Sequence, residues 1–374
     1  MNDLFSRGVA LPRPSCTAIA ALLLAGALLT DGVAAAPTYR IVELPLLADT
    51  RTSSANGINV AGEVVGFAET TSFEGYAVAW GAPPYSPRRL VDLTPADPGD
   101  WSIADAINDA GYVVGAASIS ATESVAVMWD PSGAIVRLGD LPGEQSASRG
   151  RDINTGGAVA GYATRGTSGR QFSRPVIWPT PQVAHPLRDG RQGFGSSQAH
   201  ALNDARTVVG VGSVSLTGFH AFRWAPGVGM QDLGDLPGGA DASAAYDVNN
   251  ADQVVGYGVS GLGKRALMWN ADGSMVDLGD LTGGSGYEGV RINASGRVVG
   301  HFVRGVLRQA FVWTAAEGMT DLVTLIDPAD PLRAQFASVD VYVFAINDAG
   351  AIVGNMGVPG SSTNSRAFVL VPQP

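Results

Sequence analysis

Five side chains of unlike chemistry recur at near-regular intervals: Asn56, Asp105, Arg151, His200 and Tyr246. Each stands three residues before an asparagine, namely Asn59, Asn108, Asn154, Asn203 and Asn249, and Val290 and Phe344 hold the same place before Asn293 and Asn347. A carboxylate, an imidazole, a guanidinium and a phenol are the parts of general acid–base catalysis or of a polar binding site. Residues this far apart act together only if the fold returns each of them to one place. The preceding position is small throughout (Ala55, Ala104, Gly150, Ala199, Ala245, Gly289, Val343), as crowding near an axis requires. The diverse column beside it is therefore the candidate ligand-binding column. The competing reading is a water-filled channel with an unconstrained lining.

Other chemistry is sparse. No G-x-S-x-G elbow exists, and His185, His200, His220 and His301 have no metal-ligand spacing. No catalytic residue, metal site or cofactor is expected. Asp109, Asp204 and Asp348, each directly after a repeat asparagine, offer oxygens to calcium, but no D-x-D-x-D-G string accompanies them. Trp101 stands outside the repeat frame and is the candidate stacking contact of a loop.

The elements that position these residues come from an internal repeat. Asparagine follows a branched aliphatic or Leu and precedes Gly by seven residues, giving the pairs 59/66, 108/115, 154/161, 203/210, 249/256, 293/300 and 347/354. Trp80, Trp129, Trp178, Trp224, Trp269 and Trp313 recur at one register and are expected to pack between repeats, with Leu370 in the seventh place. Turn residues after each asparagine, a β-branched run up to the Gly, a strand ending at Trp and an Asp-Leu strand make four short strands per repeat. Four strands in a period of 44 to 54 residues predict an all-β fold, a seven-bladed β-propeller of four-stranded blades. The seventh repeat stops at Ala367–Val371 without an Asp-Leu strand, and Tyr39–Leu44 matches the missing one. The N-terminal strand is thus expected to complete the last blade and close the ring. The insertion Ile326–Val341 lengthens the last interval, and Asp327, Asp330, Arg333 and Phe336 are expected to be exposed on it.

Composition narrows the classes. Hydrophobic residues make up 45% and charged residues 16% of 374, which excludes wholesale disorder. A net charge of −10 with Lys264 as the only lysine disfavours nucleic acid and anionic membranes. Residues 1–35 read as a secretory signal, with an apolar stretch Ala18–Leu29 too short to span a bilayer. Cleavage after Ala35 would remove Cys16, the single cysteine, and leave 36–374 as one domain without a membrane span, periplasmic or extracellular.

The frame I-N-D-A-G-x-V-V-G, with His220-Ala-Phe-x-Trp224 and Asp232-Leu-Gly-Asp-Leu-Pro-Gly-Gly239, resembles the HAF repeat of bacterial extracellular proteins over about residues 39–371. The resemblance implies export and a propeller-like repeat, and it brings no catalytic residues. The functional expectation is a non-catalytic binding or scaffold module for a glycan, a peptide or an envelope protein. Two alternatives stand beside it: an extracellular hydrolase or lyase with a composite site at the axis, and a calcium-stabilised structural surface protein.

Overall fold

The computed structural model describes residues 38–93, 101–120, 122–142, 147–165, 172–187 and 195–373. The expected signal segment lies outside these residues. The chain is nearly all-β. Six successive sets of four strands pair antiparallel in sequence order, and their first strands are Thr50–Ile58, Ser102–Ile107, Ala147–Ile153, Ser197–Leu202, Gly238–Val248 and Gly284–Ile292. The seventh set has Val341–Ile346, Ile352–Gly357 and Ser365–Pro372, and its fourth member is the N-terminal strand Tyr39–Glu43, paired from Tyr39↔Pro372 to Glu43↔Phe368. Single parallel pairings, Ala147↔Ser124 and Phe219↔Ala242, join two pairs of neighbouring sets into eight-stranded sheets. Among the described residues no sheet closes on itself. Residues Pro37–Pro374 form one compact unit.

The repeat asparagine carries two jobs. Its Oδ1 accepts from the backbone N–H four residues on, as in Ala158 N to Asn154 Oδ1 at 2.9 Å, which holds the turn. Its Nδ2 donates to the carbonyl of the next repeat's asparagine. The series runs Asn59 to Asn108 (3.3 Å), Asn108 to Asn154 (3.0 Å), Asn154 to Asn203 (3.1 Å) and Asn203 to Asn249 (3.1 Å). It continues Asn249 to Asn293 (3.2 Å), Asn293 to Asn347 (3.2 Å) and Asn347 back to Asn59 (2.9 Å). An ionised Asp has no donor and could not serve both purposes.

The repeat glycine has a steric cause. A Cβ on Gly115 would lie 1.9 Å from Ile103 O, on Gly161 1.9 Å from Arg149 O, and on Gly354 1.8 Å from Tyr342 O. That carbonyl presses inward because every first strand carries a β-bulge. Pairing skips one residue between Ala55/Gly57, Ala104/Ala106, Gly150/Asp152, Ala199/Ala201, Ala245/Asp247, Gly289/Arg291 and Val343/Ala345. The skipped residues are Asn56, Asp105, Arg151, His200, Tyr246, Val290 and Phe344, the whole variable column. A bulged residue is released from the ladder and its side chain re-aimed.

The tryptophans pack between repeats as expected. Trp80, Trp129, Trp178 and Trp269 are fully buried, while Trp224 is only half-buried. Their indole N–H groups reach back to the segment after the preceding repeat: Trp129 to Val91 O (2.7 Å), Trp178 to Gly139 O (2.7 Å) and Trp269 to Leu233 O (3.0 Å). Trp80 reaches Pro45 O at 2.8 Å, just past the N-terminal strand. That strand therefore stands to the first repeat as each repeat's last strand stands to the next.

The insertion corrects an expectation. Asp330 and Phe336 are buried, not exposed. Asp330 Oδ2 accepts from Ile41 N at 2.7 Å, Asp327 N donates to Tyr39 O at 2.9 Å, and Phe336 packs against Phe368. The added length clasps the N-terminal strand into place. It holds a single helical turn, Arg333–Phe336, and is preceded by a 3-10 turn, Leu322–Leu325.

Candidate functional site

The bulges bring the column together. Asp105 is buried and takes a bidentate grip from Arg149, Nε to Oδ2 at 2.7 Å and Nη2 to Oδ1 at 2.6 Å, with Arg151 Nη1 3.6 Å from Oδ1. Asn56 Nδ2 donates to Ala104 O at 2.8 Å, and His200 Nδ1 donates to Ala245 O at 2.8 Å, the equivalent carbonyl of a later repeat. That bond leaves His200 Nε2 as the imidazole's acceptor nitrogen. The His200 and Tyr246 rings lie 5.5 Å apart.

Side chains from distant repeats share this space. Arg151, of the third repeat, feels the charge of Arg291, of the sixth. Arg291 in turn acts on Asp152 and Asp247, of the third and fifth repeats. The ends of the first strands of the second to seventh repeats, Ile107, Ile153, Leu202, Val248, Ile292 and Ile346, likewise line one depression. Burial pushes the His200 imidazole down to about 4, and the positive charge of Arg151 adds to this, so the ring is neutral at pH 7. Burial pushes the Asp247 carboxyl up to about 7; Arg291 opposes the shift and the nearby Asp152 adds to it. Burial also raises Asp152, whose Oδ2 accepts from Leu202 N at 2.9 Å. Asp247 Oδ2 accepts likewise from Ile292 N at 2.9 Å.

A second layer lies farther from the asparagine turns. Glu288 accepts from Arg308 Nη1 at 2.9 Å and Lys264 Nζ at 3.3 Å. Burial disfavours its charge, yet His301, Lys264 and Arg308 outweigh burial and hold the carboxyl down at about 2. His301 is buried, and its Nε2 accepts from Val343 N at 2.8 Å, so the proton of the neutral ring sits on Nδ1, toward Glu288. Tyr257 and Tyr342 carry Lys264 and Arg308 over their faces at 4.1 and 5.1 Å. The Tyr342 and Phe344 rings stack at 6.2 Å.

Tyr342 also lines a cleft of about 570 Å³, together with Asn355, Asp340 and the loop 359–364. Its lining is mostly hydroxyl, amide and phenol. At the opposite end of the first strands, the asparagine turns surround a smaller depression of about 210 Å³. There Asp109, Asp204 and Asp348 accept from Val60 N (2.9 Å), Thr155 N (3.0 Å) and Ala294 N (2.8 Å), so these carboxylates link neighbouring repeats. Trp101 is about one-third exposed at 37% and borders neither cavity; its backbone N–H donates to Ser118 Oγ at 2.9 Å.

The variable column found only part of this site. Arg149, Glu288 and Tyr342 stand five before an asparagine, and Asp152, Asp247 and Arg291 stand two before one. The first of those columns varies in type as the bulged one does, whereas the second is otherwise Gly57, Ala106, Ala201 and Ala345 and stands out only by its three charged members.

No protein-family model matches the sequence, and no curated protein matches it. Solved structures do. A puromycin-hydrolyzing peptidase of Mycobacterium tuberculosis matches with TM-score 0.57 at 13% identity, over 90% of this chain and 55% of that one. A prolyl endopeptidase matches with TM-score 0.56 at 12% identity, over 90% and 51%. The chain thus spans about half the length of these two peptidases. An oligogalacturonate lyase in complex with manganese matches with TM-score 0.54 at 10% identity, over 90% of this chain and 99% of that one. At these identities the likeness is one of fold, β-propeller-like and all-β.

Proposed function

We propose that this chain is an exported, closed seven-bladed propeller of the HAF-repeat kind that binds a glycan at the end of its axis remote from the asparagine turns. Closure is supported by the asparagine series that returns from Asn347 to Asn59 and by the N-terminal strand paired with Ser365–Pro372. Export rests on residues 1–35 of the sequence and HAF-repeat membership on the motifs around His220.

The observation that carries the binding reading is the cleft from Tyr342 to Asn364. Its volume of about 570 Å³ suits a small ligand. Hydroxyls of Ser361 and Thr363, the amides of Asn355 and Asn364 and the carboxylate of Asp340 match the hydroxyl-rich edge of a sugar. Tyr342 adds an aromatic side chain to the lining, and the Arg308 and Glu288 pair holds its ring in place. Thermal-shift and calorimetric titration with neutral and acidic oligosaccharides tests the reading. An oligosaccharide should raise the melting temperature, and Tyr342→Ala should weaken its binding about tenfold or more, the loss of one aromatic contact. Silence across the saccharides, or binding indifferent to Tyr342→Ala, would overturn it.

One observation favours hydrolase or lyase chemistry as the second reading. Asp247, held near 7 by burial with Asp152 nearby, is a carboxyl able to give and take a proton at neutral pH. Turnover of an oligosaccharide that Asp247→Asn abolishes would favour this reading over plain binding.

A further inference from the structure

Away from the central space, one cluster gathers metal-ligating side chains from three segments. His220 lies in strand Phe219–Ala225, Asp232 ends strand Gly229–Asp232, Asp235 follows in the loop, and Asp241 lies in strand Gly238–Val248. His220 Nδ1 is 2.8 and 3.0 Å from the two oxygens of Asp232. Its Nε2 is 2.7 Å from Asp241 Oδ1. Ligand atoms of His220, Asp235 and Asp241 all lie within 4.8 Å of one another.

The next repeat shows what this position holds. Arg265, Asp277 and Asp280 match His220, Asp232 and Asp235 at a common offset. There the guanidinium sits between the carboxylates, Nε to Asp277 Oδ2 at 2.9 Å and Nη1 to Asp280 Oδ2 at 2.9 Å. The paired carboxylates of this repeat thus already enclose a cation. In the fourth repeat the fixed charge is replaced by an imidazole, and a third carboxylate, Asp241, is added where the fifth repeat has Gly286. Even a protonated His220 brings one positive charge against three negative ones. Room for Asp241 is kept by Gly218, where a Cβ would lie 2.3 Å from Asp241 Oδ2.

We propose that His220 Nε2, Asp235 and Asp241 bind a divalent transition-metal ion of the zinc type. One nitrogen and two carboxylates suit such an ion, with solvent completing the shell. Asp232 does not ligate. It accepts the Nδ1 proton, fixes the tautomer and raises the basicity of Nε2, the usual partner of a metal-bound histidine. The imidazole is sheltered at 14% exposure while Asp241 is open at 59%, which gives the ion a route in. Phe219 and Ala242, the neighbours of His220 and Asp241, are the residues of the single parallel pairing between the fourth and fifth repeats. The ion would clamp that junction.

The test titrates Zn²⁺ into the chelator-stripped full chain by calorimetry, with melting temperatures in Zn²⁺ and in chelator. One equivalent should bind and raise the melting temperature, and chelator should reverse the rise. Asp241→Asn, on an exposed side chain, should weaken binding at least tenfold. His220→Arg installs the guanidinium of the fifth repeat, so it should keep or exceed the apo melting temperature and lose the response to Zn²⁺. Absence of Zn²⁺ uptake by the wild type, or wild-type uptake by His220→Arg, would overturn the proposal.

Discussion

Asn154→Ala and Asn347→Ala form a matched pair that tests whether the repeats close on themselves. Each asparagine is buried. Asn154 accepts from Ala158 N at 2.9 Å and donates to Asn203 O at 3.1 Å; Asn347 accepts from Ala351 N at 2.9 Å and donates to Asn59 O at 2.9 Å. The chemistry is the same, but the Asn154 bond joins sequence neighbours and the Asn347 bond joins the last repeat to the first. A hydrogen bond nets about 1 kcal/mol, and a buried group left without its partner costs about 1–3 kcal/mol. Two bonds lost, with an amide and a carbonyl stranded, put each substitution at about 2–4 kcal/mol. In an open array Asn347 would lose only the bond of its own turn, about half as much. Guanidinium unfolding followed by tryptophan fluorescence measures both, read as midpoint shifts at constant slope. Equal losses fit a closed ring. A loss for Asn347→Ala no more than half that of Asn154→Ala would refute closure and with it the reasoning from the asparagine series.

Asp330→Ala should cost about 2–4 kcal/mol, because Asp330 also accepts from Leu332 N at 2.8 Å and both of its backbone partners would be stranded. Limited proteolysis should then cut near residue 44 before the rest of the chain, and an uncut N-terminus at unchanged stability would contradict the clasp. The pH dependence carries two opposed signs. His200 titrates near 4 in the fold against about 6.5 unfolded, so its contribution is full above about 6.5 and falls as the pH drops toward 4. Asp247 titrates near 7 against about 3.9 unfolded, so its contribution is full below about 4 and is lost as the pH rises through 7. His200→Gln removes the first alone, and its stability relative to wild type should climb steadily from pH 7 to pH 4. Parallel profiles for the two proteins would show that the imidazole is not held neutral.

The sequence by itself determined the repeat and its parts. Asn-x6-Gly, the tryptophan register and the β-branched runs are local patterns, and each is used within a strand or turn of its own repeat or against the adjoining one. The partnership of Tyr39–Glu43 with the last repeat was legible too, because the seventh repeat lacks a strand of matching pattern. The variable column was legible as variety inside a regular frame. The bulges were not, since a skipped residue is of any type and leaves no mark in composition. Nor was the company each charge keeps: Arg151 and Arg291 stand 140 positions apart in the sequence, and only the tertiary structure brings their charges to bear on each other. Polarity also misled at Asp330, which reads as an exposed loop acid and is buried on the backbone of Ile41, 289 positions away. His220 likewise gained its third carboxylate, Asp241, only when two repeats packed side by side. Periodicity is written by neighbours in sequence, whereas sites made by convergence depend on register and side-chain direction across the whole structure, which no local pattern records.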